Sequence, residues 1–130
     1  MKPKNIACIA FILLAIAIPA GAIGAHMLKS KLSLACFNSF ETAVKYHTYS
    51  AITLLAIAAL SGGTRIYFTW SLALLLLGIL LFAGGCYLAA FREIVPNIGI
   101  TGGKMAPIGG IFLIFAYLIM GFQSYKHKLK

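Results

Sequence analysis

The sequence predicts an all-α integral membrane protein, a four-helix bundle, from three observations. Uncharged apolar stretches cover residues 5–28, 46–64, 66–91 and 105–125. Each is long enough to cross a bilayer, since about 20 residues at 1.5 Å rise span a hydrocarbon core of roughly 30 Å. Hydrophobic residues make up 62% of the chain and charged residues only 10%, against about 25% charged in a soluble domain. A chain with so little polar surface needs lipid as its solvent, and in lipid the backbone must satisfy its own hydrogen bonds as helices. One domain over residues 1–130 is expected, with spans at about 6–25, 43–62, 66–91 and 105–125.

The first span combines Lys2 and Lys4 with an apolar run and Ala20-Gly21-Ala22, which imitates a secretory signal. The uncharged stretch continues past that site, so a retained membrane helix is expected. Its Leu, Ile and Phe residues contribute about −3 to −5 kcal/mol to insertion. Pro19 is expected to bend it. Ala17, Gly21 and Ala25, with Gly24, form a smooth face of the kind that lets helices approach closely in lipid.

A polar connection is expected from His26 to Lys31. After it, residues 32–44 show an amphipathic helical pattern, with Leu32, Cys36, Phe40 and Ala43 on one face. This short segment either lies on the membrane or begins a long second helix. The second span ends at Ser61-Gly62-Gly63-Thr64, a turn signal. Arg65, Tyr67 and Trp70 mark an interface before the third span. In residues 92–104, Pro96, Gly99, Gly102 and Gly103 argue against regular helix. The string from Gly99 to Lys104 fails as a phosphate loop, because Met105 follows Lys104 and the leading glycine is missing. Pro107 suits the first turn of the fourth span.

The net charge of +9 sits at the ends of the spans, which points to anionic lipid headgroups and against nucleic acid. Four spans put both termini on one side. Lys2 and Lys4 with Lys126, Lys128 and Lys130 tilt that side to the cytoplasm. Cys8, Cys36 and Cys86 form no CxxC pair and are expected to be small apolar residues.

Four strings carry a resemblance: Gly21-Ala-Ile-Gly-Ala-His26, Glu41-Thr-Ala-Val-Lys-Tyr46-His47, Phe82-Ala-Gly-Gly-Cys-Tyr87 and Pro107-Ile-Gly-Gly110. Their order and spacing resemble the YgdD family of small inner-membrane proteins, which has mitochondrial relatives. The resemblance covers about residues 6–122. It implies four helices and an inner-membrane location, and it implies no activity. The family's His three residues after His47 is Ser50 here, and its Thr before Pro107 is Ala106, so roles tied to those residues do not carry over.

His26, Glu41, Tyr46 and His47 are the candidate polar site. The plain expectation is that His26 caps the end of helix one and that His47 snorkels to the surface. The sharper alternatives are a transition-metal site on His26, Glu41 and His47, haem ligation by the two histidines, or a proton or solute path along Glu41, Tyr46 and His47. Gly84-Gly85 and Gly109-Gly110 are expected to pack helices closely. The alternative is a small-molecule pocket including Tyr87 and Pro107. No catalytic set or cofactor loop is found, so a non-enzymatic protein without cofactor is expected. It would act by packing against lipid, copies of itself or a partner membrane protein.

Overall fold

A computed structural model describes residues 1–63 and 68–126. Helix α1 spans Pro3–Ile23 and runs directly into a π-helical turn, Gly24–Leu28. Helix α2 spans Leu34–Gly63, α3 Thr69–Ala90 and α4 Pro96–Lys126. No strand occurs among the described residues, and all four helices are long and apolar enough to span a membrane. The expected all-α architecture holds. Arg65, Tyr67, Lys128 and Lys130, expected at the membrane surface, lie outside the described residues.

Each helix packs antiparallel on the next. Gly62 at the end of α2 lies beside Pro3, and Gly24 lies against Phe40. Phe40 reaches Tyr87 and Phe91 on α3, while Gly78 of α3 meets Leu113 of α4. One apolar core runs through all four, from Ile6 and Ala10 through Leu54 and Leu75 to Leu113 and Ala116. All connections of the α1–α2 and α3–α4 pairs thus fall at one end, which we call the loop end. The start of α1 and the end of α4 share the opposite end.

Two sequence expectations are corrected, and one alternative that the sequence left open is decided. Residues 34–63 form one unbroken helix, so the amphipathic segment extends the second span. At 30 residues this helix is about 45 Å long, and it exceeds a hydrocarbon core of roughly 30 Å. Its polar first turns lie at the loop end. The 92–104 segment is irregular only as far as Val95: α4 begins at Pro96 and carries Gly99, Gly102 and Gly103 as ordinary helical residues, none with positive φ. The missing side chains of Gly99 and Gly102 admit the end of α3 and the turn after it, and that contact outweighs the low helix propensity of glycine. Pro107 consequently sits inside α4 instead of starting it.

The α3–α4 interface is built from small residues at alternating spacings of three and four. Gly102, Ala106, Gly109 and Leu113 of α4 face Ala89, Gly85, Phe82 and Gly78 of α3, and Gly99 faces Arg92 in the turn after it. A Cβ on Gly85 would sit 2.8 Å from both the Ala106 nitrogen and the Gly102 carbonyl oxygen. That is backbone against backbone, the contact that replaces the hydrophobic effect between helices in lipid.

Candidate functional site

All four motif strings converge at the loop end. The π turn carries the end of the first. Its i→i+5 geometry shows in the Lys29 N–H donating to the Gly24 carbonyl at 3.1 Å. π-turns recur at functional sites. This one continues the helix through His26 to Leu28, where a polar connection was expected. His26 is exposed on it, and its ring has no hydrogen-bond partner among the described residues. The expected capping role is therefore corrected: His26 stands in the last helical turn, but its ring makes no bond to the terminal carbonyls.

His47 is also not a snorkelling side chain. It is 6% exposed, and its Nδ1 lies 3.2 Å from the Tyr87 hydroxyl. The α2 register explains this, since Phe40, Ala43, His47, Ser50 and Leu54 repeat at three and four along the buried face. Its Nε2 is buried without a partner among the described residues. Tyr87 is packed between two side chains. It is held by His47 on one side and by the Phe40 ring on the other, edge-to-face with centroids 5.3 Å apart.

Phe40 is the centre of this cluster. It meets Phe91 edge-to-face at 6.3 Å, and it fills the space above Gly24, where an added Cβ would lie 2.9 Å from the ring. Beside it, Tyr46 stacks edge-on against Phe82 at 4.7 Å, and Phe82 in turn covers Gly109. An unbroken line of contacts therefore runs from α1 to α4 at one level: Gly24, Phe40, Tyr87, His47, then Tyr46, Phe82 and Gly109. Edge-to-face pairs of this kind contribute about 0.5–1.5 kcal/mol each beyond area burial.

The glycines divide by position. Gly24, Gly85 and Gly109 are close-packed, Gly21 has ordinary contact with Val44 at 3.7 Å, and Gly110 has near contact with Phe82 at 3.4 Å. Gly84 meets nothing within 4 Å. Gly85 faces Gly102 and Ala106, not Gly109, so the two expected glycine pairs are offset by about one turn. Ala25, expected on the smooth face, is exposed, because the buried stripe continues from Ala17 to Gly21 and Gly24. Pro107 is exposed.

The candidate polar residues do not form one centre. Glu41 is exposed on α2, beside a groove between the end of α1 and the start of α2, while His47 faces α3. Among the described residues no three His, Cys, Asp or Glu side chains are grouped to hold a metal ion. The donor set imagined for a metal or haem is dispersed over different helix faces.

Sequence reasoning missed one feature. Ser33 caps α2: its Oγ accepts from the Cys36 N–H at 3.4 Å and its carbonyl accepts from Phe37 at 2.8 Å. Its hydroxyl donates to Glu93 Oε1 at 2.6 Å, and its N–H reaches Oε2 at 3.5 Å. A carboxylate is favourable at a helix N-terminus. The Ser33 hydroxyl holds the Glu93 carboxyl below its usual range, with a smaller contribution from Arg92. A serine immediately before an amphipathic run signals the cap; nothing in one dimension pairs it with Glu93, sixty residues away.

The fold and this site define a small polytopic membrane protein whose motifs meet at one end of the bundle. Residues 20–110 match the family described as "Protein of unknown function (DUF423)". The chain belongs to that family, as its motifs led one to expect. It is 36% identical over 110 residues to a UPF0382 membrane protein of Staphylococcus saprophyticus, covering 85% of this chain and 88% of that one. A UPF0382 membrane protein of Staphylococcus haemolyticus is 36% identical over 106 residues, 82% and 83% of the two chains. One from Staphylococcus epidermidis is 34% identical over 110 residues, 85% and 86%. No solved structure matches.

Proposed function

We propose that this protein acts without catalysis, through helix packing and association with copies of itself or a partner protein in the cytoplasmic membrane. One observation carries the reading: the motif residues are spent on joining helices. Gly24 receives Phe40, Gly85 receives the α4 backbone, Gly109 receives Phe82, and Tyr87 and His47 hold each other. A catalytic or cofactor site would leave such residues lining an open cavity. A rigid, motif-built loop end suits docking. A ligand-binding or transport role centred on His26, Glu41 and His47 has less support, since these residues point to different surroundings.

Both termini are cytoplasmic in this reading. Lys2, Lys4 and Lys126 share the end opposite the loops, and basic residues favour the cytoplasmic side. Cross-linking in native membranes tests the association: discrete dimers or a recurrent partner are expected, and monomers alone overturn it. Compartment-sensitive reporters fused at each terminus test the orientation, with both expected to report the cytoplasm.

A further inference from the structure

A groove of about 120 Å³ opens between α1 and α2 near the loop end. Its floor is Gly21 and Gly24, its wall is Phe40 and Val44, and its rim carries Glu41 and Lys45. We infer that this groove binds one phospholipid with a zwitterionic aminophosphate headgroup, of the phosphatidylethanolamine type.

Three observations carry the inference, and none depends on the association proposed above. The first is depth. Lys45 sits at the boundary between the polar start of α2 and its apolar span, across the groove from Gly21 of α1. That is headgroup depth, where a lysine reaches anionic lipid groups.

The second is the unpaired rim. Glu41 and Lys45 are both exposed, and neither has an ion-pair partner among the described residues. A purely anionic headgroup would be repelled by Glu41, and a purely cationic one by Lys45. A zwitterion satisfies both.

The third is order. The two side chains are one turn apart, about 6 Å along the axis, with Lys45 nearer the hydrocarbon and Glu41 nearer the water. A phosphatidylethanolamine molecule presents its phosphate deeper and its ammonium farther out. Phosphate then meets Lys45 and ammonium meets Glu41, which accepts its hydrogen bonds. Gly21 leaves room for the glycerol region close to the α1 backbone, Phe40 closes the groove over Gly24, and the first methylenes lie along Val44.

The test uses full-length protein extracted from membranes of equal phosphatidylethanolamine and phosphatidylglycerol, with retained lipid read by native mass spectrometry. One phosphatidylethanolamine per chain is expected, enriched over the bulk. Glu41→Gln and Lys45→Gln should each lower that enrichment roughly two- to fivefold, the range for one exposed charge pair. The charge swap Glu41→Lys with Lys45→Glu keeps the net charge and should abolish the enrichment. Gly21→Leu fills the groove and should also abolish it. Thermal melts identify any variant that has not folded, and Lys104→Gln, on α4, should change nothing. Retained lipid that mirrors the bulk, a preference for phosphatidylglycerol, or a charge swap that keeps the enrichment would each overturn the inference.

Discussion

The α3–α4 and α1–α2 interfaces solve one problem in two ways. Both join antiparallel apolar helices in a solvent that offers no hydrophobic drive between them. In α3–α4 the backbones themselves touch, through Gly85 against Gly102 and Ala106, and Gly109 against the backbone at Leu81 and Phe82. In α1–α2 the contact passes through side chains: Phe40 lies over Gly24, and Val44 stands 3.7 Å from where a Gly21 Cβ would be. The first pairing tolerates no added atom. The second leaves a groove open to the surroundings. Glycine content alone does not distinguish them, since both pairs are glycine-rich. What matters is whether backbone or a movable ring stands opposite.

The largest expected effect breaks the tight side. Gly109→Val would place a branched side chain into the α3 backbone, which cannot move aside. A loss of about 3 kcal/mol or more is expected, at the upper end for overpacking, read by unfolding in mixed micelles. Gly24→Ala tests the loose side at its most crowded point. Its Cβ would meet only the Phe40 ring, so a smaller loss of about 1 kcal/mol is expected. If Gly24→Ala proves as damaging as Gly109→Val, the contrast fails.

Tyr87→Phe isolates the polar link between the two halves. It keeps the ring packing against Phe40 and removes the hydroxyl from His47. Hydrogen bonds within membranes contribute about 0.6 kcal/mol on average, so a loss of that order is expected by the same unfolding measurement. Glu93→Gln tests the clasp on the start of α2. Because Ser33 lowers the Glu93 pKa on folding, the clasp stabilises the protein above the usual carboxylate value of 4.5. That stabilisation is lost as pH falls through the lowered value. The difference between wild type and Glu93→Gln should thus be present at pH 7 and vanish in acid. The smallest effect is reserved for Gly84→Ala, which meets nothing within 4 Å and should change stability by less than about 0.5 kcal/mol.

Much of the fold was legible in one dimension because lipid imposes a simple rule: a spanning segment must be apolar and helical. The four spans, their order and the shared end of the termini follow from it. Within the site, the glycines at 24, 85 and 109 were recognised as packing residues. Their partners were not, because pairing depends on the offset between helices, and a shift of one turn changes every contact. His47 was misplaced for a related reason. A histidine near a span end is compatible with snorkelling or burial, and only the neighbouring α3, with Tyr87 at the right height, selects burial. The 92–104 segment misled because its glycines and proline read as breakers, whereas here glycine is the residue that lets α4 lie against α3.

Hydropathy, charge placement and motif spacing were enough to settle the solvent, the helical class and the family, since each reflects a local cost that every residue bears alone. Which residues meet across the helices was decided in three dimensions. The Ser33–Glu93 clasp, the Phe40 cluster and the open groove beside Glu41 and Lys45 depend on distances between segments tens of residues apart, and those distances are set by how closely one backbone can approach another.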